Sequence, residues 1–298
     1  VDNGWNIDYT KRIDGGPVDL GFDYFFGGPG NYSAAPYCFI ENEHTVGIPK
    51  IKKEKLYGRQ NPGPMVENWQ DDNIGPAITE KAVETIDKFA KSPKPFFLYF
   101  PLFAPHRPCV PPDFVEGKSG AGNRGDMVAE IDWTVGRITK KLDELNIADN
   151  TILVFTSDNG ATHAGYKAGI TFEKQYGHNP NEPWRGHKAM IWEGGHRVPF
   201  IIRWPGKIEP GTANKSPFVL TDMMASFATF LGHEIPASAA EDSFNILPVL
   251  LGRKTEVASD RIMIFHSHVG RFAIRQGKWK LVMPNPPLKK PDERRPGW

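Results

Sequence analysis

Residues 151–160, TILVFTSDNG, place the strongest constraint on how this chain can fold. An apolar run, ILVF, ends abruptly in Ser157, Asp158 and Asn159. This ending is typical of a buried parallel strand whose carboxyl end opens onto a loop. In open α/β sheets, ligands bind at that end of the strand. A surface turn is the alternative, because Asn-Gly is also a strong hairpin signal.

The composition is that of a globular protein and excludes several classes of function. Hydrophobic residues make up 39% of the 298 residues and charged residues 24%, which is typical of folded soluble domains. The 36 basic and 35 acidic residues leave a net charge of +1, so no basic excess favours nucleic-acid binding. No apolar run is long enough to cross a bilayer. Cys38 and Cys109 could pair, stay free or be inert core residues, and their spacing does not decide between these.

Apolar periodicity predicts two helices, each followed by a strand. Residues 77–91 have the spacing of an amphipathic helix, and FFLYF at residues 96–100 has the pattern of a buried strand. Residues 126–145 form the clearest helical pattern and lead into the strand of residues 151–160. Two successive helix–strand units predict an α/β fold with a largely parallel sheet flanked by helices.

The second half of the chain predicts further elements and a change of architecture. Residues 198–204, VPFIIRW, indicate another buried strand, and residues 221–231 indicate a helix. A small antiparallel sheet is predicted from three short strands at residues 261–266, 271–275 and 278–282. We therefore expect a partial α/β domain over residues 1–235 and a subdomain over residues 236–298 that ends in a charged tail.

Three loops that would meet at one edge of the predicted sheet carry four polar side chains, His106, Asp158, Asn159 and Lys188. Asp158 and Asn159 offer carboxylate and amide oxygens, which suit a hard cation such as Ca²⁺. His106 could move a proton near neutral pH, and Lys188 could hold negative charge. Together they suit an oxyanion substrate. Taken singly, His106 is more often a structural loop histidine and Lys188 a solvated surface lysine.

Four segments, in this order, resemble the formylglycine-dependent sulfatases of the arylsulfatase type. They are GFDYFFG at residues 21–27, APHRP at 104–108, SDNG at 157–160 and RGHKAMIWEGGHRVP at 185–199. The resemblance implies an alkaline-phosphatase-like α/β fold and a site for Ca²⁺, in preference to Mg²⁺, in which Asp158 and Asn159 are ligands. It also implies that Lys188 contacts the sulfate group and that His106 donates a proton to the leaving-group oxygen.

The nucleophile that this resemblance implies is absent from the chain. In the family it is a formylglycine hydrate, made from the Cys or Ser of a C/S-x-P-x-R motif. Its gem-diol attacks sulfur, the alcohol leaves, and the sulfated hydrate collapses to the aldehyde and releases sulfate. The nearest match, CVPPD at residues 109–113, has Asp113 where arginine is needed, and an acid would repel sulfate.

Other family segments are missing too, namely an early pair of metal-binding aspartates and a G-K-W-H-L-G segment. The chain also opens VDNGWN without a methionine. We therefore expect roughly the first hundred residues of a complete enzyme to precede Val1. Because those residues would supply the nucleophile, we expect this chain alone to be inactive.

Two other functions fit the same residues. A phosphatase, phosphodiesterase or phosphonate hydrolase of the same superfamily would favour borderline metals such as Zn²⁺ and histidine ligands. The second strand-end position here is Asn159, which favours Ca²⁺ and sulfate. A non-catalytic binder of sulfated glycans would also lack the nucleophile.

The loops around the expected site carry polar and flat side chains that suit a hydroxylated, anionic ring. These candidate substrate contacts are His163, Lys167, His178, Trp184, Arg185 and His187, with Asn31 and Ser33 as further candidates. They predict a sulfated small molecule or oligosaccharide, with a carbohydrate preferred over an aryl group. We expect no nucleic-acid or membrane partner, and the family resemblance implies a periplasmic, secreted or lysosomal compartment.

Overall fold

The computed structural model of the chain describes residues 4–163, 172–236, 238–254, 257 and 260–284. Lys167 and the predicted charged tail lie outside the described residues. The chain divides into two compact units, Val1–Ala148 with Lys174–His178, and Asp149–Glu173 with Asn179–Trp298. The predicted domain boundary after residue 235 falls within the second unit and stays a prediction.

Two long helices form the frame of the first unit. Helix α1 spans Ile74–Phe89 and helix α2 spans Gly122–Glu144, which confirms both predicted helices with slightly earlier starts. Their apolar faces are buried and pack against each other, because residues three and four positions apart lie on one side of a helix. Between them, the hydroxyl oxygens of Thr79 and Thr134 form a buried hydrogen bond of 2.9 Å.

The first 73 residues are mainly ordered loop with very short strands. The strands are β1 Phe26–Gly27, β2 Ile40–Glu41, β3 His44–Thr45, β4 Ile51–Lys52 and β5 Pro64–Met65, and they pair antiparallel as β1-β2-β3 and β4-β5. Aromatic packing holds these loops together. The buried Tyr32 ring lies 5.2 Å from Trp69 and 5.2 Å from Phe103. Since Phe103 immediately precedes the predicted APHRP motif, this packing also fixes the loop that carries His106.

Residues 96–100, FFLYF, do not form the predicted buried strand. The side chains of Phe97 and Tyr99 are 70% and 68% exposed. A strand requires the hydrogen-bond ladder of a neighbour, and no described strand pairs with this segment. Phe96, Leu98 and Phe100 are partly buried, and Phe100 packs against the cluster of Tyr32, Ile74 and Ile78.

In the second unit, the central strand has an antiparallel partner and not a parallel one. Strand β6, Leu153–Thr156, pairs with strand β7, Phe200–Arg203, so that Thr156 lies opposite Phe200. This corrects the expected parallel pairing. Antiparallel strands can be joined by a chain that leaves and returns at one end, whereas parallel strands need a crossover. Residues 157–199 therefore begin and end at the same edge of this two-stranded sheet.

Strand β7 also differs from its prediction as a buried strand. Ile201 is 60% exposed, and the burial of the strand alternates along its length. Such alternation is the pattern of a strand covered on one face. An apolar run such as PFIIRW cannot by itself distinguish one covered face from two.

The predicted helix at residues 221–231 and the predicted C-terminal antiparallel sheet are confirmed, and three short helices were not predicted. The helices are α3 Phe172–Tyr176, α4 Glu193–His196, α5 Asp222–Phe230 and α6 Leu247–Leu250, and the strands are β8 Ile262–His266, β9 Phe272–Gln276 and β10 Trp279–Val282. Strands β8 to β10 form one antiparallel sheet in the order β10-β9-β8. The buried carboxylate of Asp222 accepts hydrogen bonds from Arg261 and from the Phe244 N–H, which fixes α5 beside the sheet.

Both cysteines are buried and unpaired, which decides between the possibilities left open by their spacing. Burial raises the pKa of the Cys38 thiol to about 12, so this thiol stays protonated and unreactive at neutral pH. Among the described residues, no helix combines the length and the apolar character needed to cross a membrane.

Candidate active site

The carboxyl end of β6 packs directly on the backbone of Glu193–Gly195, the first residues of α4, which we call the EGG turn. The Gly160 N–H donates a hydrogen bond to the Gly195 carbonyl at 3.0 Å. A Cβ atom on Gly160 would lie 1.9 Å from the Gly194 carbonyl oxygen, and one on Gly194 would lie 2.2 Å from that of Gly186. Only residues without side chains allow these segments to approach so closely. This explains the glycines that end SDNG and form the EGG turn.

Ala161 joins the strand end to the segment that carries Lys188. The Ala161 carbonyl accepts hydrogen bonds from the Lys188 N–H at 2.9 Å and from Asn181 Nδ2 at 2.9 Å. The Ala161 N–H donates to Asn181 Oδ1 at 3.1 Å. Asn181 is only 8% exposed, so its amide satisfies both backbone groups of Ala161 away from water. Sequence reasoning missed Asn181, because one asparagine in a polar loop carries no distinguishing pattern.

Asp158 and Asn159 lie at the end of β6, as predicted. Asn159 Nδ2 donates to Asp158 Oδ1 at 2.9 Å, and Ser157 Oγ donates to the Asn159 carbonyl at 3.1 Å. Rotating the Asn159 amide by 180° would replace its nitrogen with its oxygen, so that both side chains would then offer oxygens to one point. The exposed Asp158 carboxylate could therefore share a cation with the amide.

These two side chains fit Ca²⁺ by ligand type and not by number. Calcium binds carboxylate and amide oxygens, but it takes about six to eight of them. Within residues 4–163, 172–236 and the later described segments, no group of three or more His, Cys, Asp or Glu side chains could hold a metal ion. A complete calcium site would need ligands in addition to those described.

The main-chain N–H and the main-chain carbonyl of Lys188 both form hydrogen bonds. Its N–H is bonded to Ala161, and its carbonyl accepts a hydrogen bond from His187 Nδ1 at 2.9 Å. The Lys188 side chain is half-buried. Ala161 follows Asn159 by two residues, so this main-chain hydrogen bond joins the Lys188 segment to the loop that carries Asp158 and Asn159.

His106 is positioned separately, within the first unit. Its Nδ1 donates to the Arg107 carbonyl at 2.9 Å, and the same carbonyl accepts from Ser33 Oγ at 3.0 Å. Because a carbonyl oxygen only accepts, the Nδ1 atom carries a hydrogen and Nε2 is the nitrogen that would exchange a proton. Asp158, Asn159 and Lys188 belong to the second unit, so the convergence of all four residues stays a prediction.

A cavity of about 320 Å³ lies within the second unit, beside the Lys188 segment. Its lining residues are His163, Glu173, Asn179, Pro180, Asn181, Trp184, Arg185, Gly186 and His187. The structure therefore gathers three predicted substrate contacts, His163, Trp184 and Arg185, around one cavity. His178 is exposed and belongs to the first unit. Neither Lys188 nor the Asp158–Asn159 pair lines the cavity.

The cavity combines flat rings with a cationic group. The rings of His163 and His187 stack with centroids 3.8 Å apart. Burial, and then the neighbouring His187, lower the pKa of His163, which keeps it neutral at pH 7. The Arg185 guanidinium lies 3.7 Å from the Trp192 ring, and this contact leaves its edge N–H groups able to donate. Such a surface suits a hydroxylated ring that carries negative charge.

Glu193 anchors the EGG turn to the C-terminal sheet. Its carboxylate accepts a hydrogen bond from Lys280 at 2.8 Å and one from Arg275 at 2.9 Å. Burial alone would raise the pKa of Glu193, but the bonds from Lys280 and Arg275 outweigh burial and lower it. Strands β9 and β10 thereby hold in place the turn against which Gly160 packs.

Similarity to known proteins covers most of the chain. The family model described as Sulfatase matches residues 2–233. The chain is 34% identical over 314 residues to an N-acetylgalactosamine-6-O-sulfatase of Bacteroides thetaiotaomicron, with 93% of this chain and 60% of that protein covered. It is 33% identical over 248 residues to an N-acetylgalactosamine-6-sulfatase of Homo sapiens, with 83% and 45% covered.

A solved structure is similar to this chain in fold. It comes from work on glycosaminoglycan metabolism by Bacteroides thetaiotaomicron and matches with a TM-score of 0.83 at 32% identity, over 93% of this chain and 64% of that one. This likeness confirms the predicted α/β class. The chain spans 60% of the length of the bacterial relative and 45% of the human one.

Proposed function

Because the chain belongs to the sulfatase family, we propose that the full-length protein hydrolyses sulfate esters of carbohydrates. The observation that supports the proposal is the hydrogen bond from the Lys188 N–H to the carbonyl of Ala161, which lies two residues after Asn159. A cation and a pair of oxygen ligands on one loop suit an oxyanion. The relatives are named for N-acetylgalactosamine 6-sulfate, which makes that sugar the first substrate to test.

The four predicted catalytic and metal-binding residues each have a role in this proposal. The Lys188 ammonium binds the sulfate oxygens and stabilises negative charge as the ester bond breaks. His106, once its ring is protonated on both nitrogens, would donate the Nε2 proton to the leaving oxygen of the sugar and become neutral. Asp158 and Asn159 would hold Ca²⁺ together with further ligands, and the ion would offset the charge of the sulfate group.

The nucleophile would come from outside these 298 residues. The chain contains no C/S-x-P-x-R sequence, and both of its cysteines are buried. Neither thiol therefore suits conversion to the formylglycine that the family uses. We propose that the chain alone is inactive and that a longer protein supplies the modified residue and the remaining calcium ligands.

The cavity of the second unit would hold the sugar ring. Trp184 offers a flat apolar face, and Arg185 offers donors for hydroxyl or anionic groups. His163, whose lowered pKa keeps it neutral, can both donate and accept hydrogen bonds from hydroxyl groups. These features favour a carbohydrate over a purely apolar aryl sulfate.

The test compares the full-length protein with this chain on N-acetylgalactosamine 6-sulfate, its 6-phosphate analogue and an aryl sulfate, with and without a calcium chelator. We expect the full-length protein to release sulfate from the sugar, to lose this activity on chelation, and the isolated chain to release none. Release of phosphate without sulfate would assign a phosphatase instead. Binding of the intact sulfated sugar without release would assign a non-catalytic binder.

A further inference from the structure

Two cation–aromatic contacts hold the wall of the cavity in the second unit. Trp184 and Arg185 line the cavity, whereas Trp192 and Arg197 lie immediately before and after α4. The Arg197 guanidinium lies 3.9 Å from the centre of the Trp184 ring, and the Arg185 guanidinium lies 3.7 Å from the centre of the Trp192 ring. Each of these two lining residues therefore contacts a residue that is not among the lining residues.

Backbone hydrogen bonds fix the segment of Trp184 and Arg185 against α4. The Gly194 N–H donates to the Arg185 carbonyl at 2.8 Å, and the Arg197 N–H donates to the Glu193 carbonyl at 2.7 Å. Because the Glu193 carboxylate is anchored to β9 and β10, the backbone that carries Arg197 has a rigid support.

The position of the Trp184 indole depends on its contact with Arg197. The Trp184 side chain is partly exposed, and its main-chain N–H donates to the Asn181 carbonyl at 2.7 Å. Within the described segments, no other aromatic ring stacks on this indole. A partly exposed indole without a partner could adopt several rotamers, so the guanidinium is the group that selects one of them.

The Arg197 side chain is free to make this contact. It is exposed, and in the part of the chain that the structure describes no carboxylate forms an ion pair with it. A guanidinium group is weakly hydrated and stacks flat on aromatic faces. The contact is favourable because the face of an aromatic ring is electronegative and attracts a cation.

We propose that Arg197 is a positioning residue for carbohydrate binding, whose guanidinium holds the Trp184 indole as a fixed wall of the cavity. The sugar ring packs against the face of the indole that Arg197 leaves open. This proposal rests on the proposed function, in which the cavity holds the sugar of the sulfate ester. It adds a residue that acts on the substrate through Trp184 and does not contact the substrate itself.

The Arg197–Trp184 contact should affect binding of the sugar and not the chemical step. Neither Lys188 nor the Asp158–Asn159 pair lines the cavity, so the indole wall is separate from the groups proposed to act on the sulfate. An interaction that is equally strong in the ground state and the transition state lowers KM and leaves kcat unchanged. Loss of the contact should therefore raise KM for the sulfated sugar.

The test measures steady-state kinetics of the full-length protein on N-acetylgalactosamine 6-sulfate, with inorganic sulfate as a competitive inhibitor. We expect Arg197→Met, which removes the charge and keeps a long side chain, to raise KM about three- to tenfold, the range of one cation–π contact. The kcat and the inhibition constant of inorganic sulfate should not change, because sulfate alone does not reach the indole wall. Arg197→Lys retains a cation and should recover part of the loss.

A matched control and a double variant locate the effect. Arg137 lies on α2 in the first unit, where its guanidinium is 5.9 Å from the centre of the Trp133 ring, and Arg137→Met should leave KM unchanged. In a Trp184→Ala background, Arg197→Met should cause no further rise in KM, because the guanidinium acts through the indole.

Four results would overturn the proposal. They are an unchanged KM in Arg197→Met, equal KM values for Arg197→Met and Arg197→Lys, an undiminished effect of Arg197→Met in the Trp184→Ala background, and a lower kcat together with weaker inhibition by sulfate. The last result would show that Arg197 supports the Lys188 segment and not the sugar wall.

Sugar binding measured without turnover distinguishes failure of this inference from failure of the proposed function. If the full-length protein releases sulfate from no substrate, the proposed function fails. Calorimetric titration with N-acetylgalactosamine 6-sulfate then still tests the indole wall. Weaker binding by Arg197→Met than by Arg137→Met supports the positioning role, whereas equal binding by the two variants, or binding by neither variant nor the unsubstituted protein, refutes it.

Discussion

The close approach of Gly160 to the EGG turn gives the sharpest test of how the loop is built. An alanine at this position would place its Cβ 1.9 Å from the Gly194 carbonyl oxygen. An ordinary carbon–oxygen contact is about 3.4 Å, so the two segments would have to separate by about 1.5 Å. That movement would also break the 3.0 Å hydrogen bond from the Gly160 N–H to Gly195.

The cost of Gly160→Ala follows from these two effects. Overpacking of a tight interior costs about 1–3 kcal/mol, and the lost hydrogen bond adds about 1 kcal/mol. We therefore expect the free energy of unfolding to fall by about 2–4 kcal/mol. A misplacement of about 1 Å at a catalytic loop can lower the rate about a hundredfold, so kcat/KM for the sulfated sugar should fall by a similar factor through the displaced Lys188.

Urea denaturation and steady-state kinetics of the full-length protein measure both effects. Gly136→Ala is the matched control, because Gly136 lies within α2 and a Cβ there meets nothing within 4 Å. Alanine is the better helix former, so this control should gain up to about 1 kcal/mol. If Gly160→Ala unfolds and turns over like the unsubstituted protein, the packing of the strand end on the EGG turn is wrong.

Three further perturbations follow from buried and charged groups. Lys53 and Asp71 form a buried ion pair, and removing its ammonium group by Lys53→Met should lower the free energy of unfolding, measured in urea, by about 3–5 kcal/mol. Lys91→Met, which breaks the exposed pair with Asp87, should lower it by less than about 0.5 kcal/mol. Similar losses in the two variants would contradict the burial of the Lys53–Asp71 pair. The lowered pKa of Glu193 means that its carboxylate stabilises the fold above the unfolded-state pKa and loses this effect as pH falls through the folded-state pKa. Glu193→Gln should therefore be less stable by about 1–2 kcal/mol at pH 7, and this deficit should disappear as the pH falls through the lowered pKa of Glu193. A deficit independent of pH would refute this. His187→Gln should raise the pKa of His163 towards its ordinary value in an NMR titration, and an unchanged pKa would show that the ring stack has no electrostatic effect.

Local sequence patterns predict the helices and the C-terminal sheet well, because each depends on contacts near in sequence. Helices α1, α2 and α5 follow from their apolar spacing, and the three C-terminal strands follow from turn residues between short apolar runs. Pairing direction is different, since it depends on where a distant strand lies. Local patterns could not predict the antiparallel pairing of β6 with β7 or the exposure of Phe97 and Tyr99 in a segment that has no strand partner.

The candidate site also combines features that local sequence predicts with features that depend on residues distant in sequence. The SDNG and RGHK segments predicted Asp158 and Lys188 as site residues. The glycines Gly160 and Gly194 of these motifs explain how closely the end of β6 packs on the EGG turn. Asn181 was not predictable, because its importance arises from two hydrogen bonds to Ala161, twenty residues earlier.

A double-mutant cycle between Asp158 and Lys188 tests the central claim most directly. In the full-length protein, kcat/KM for N-acetylgalactosamine 6-sulfate would be measured for Asp158→Asn, Lys188→Met and the double variant. If both side chains act on one sulfate group, each single change should cost at least about a hundredfold, and the double variant should lose little more than the worse single variant. Independent, multiplying losses, or single variants with undiminished activity, would contradict a shared site.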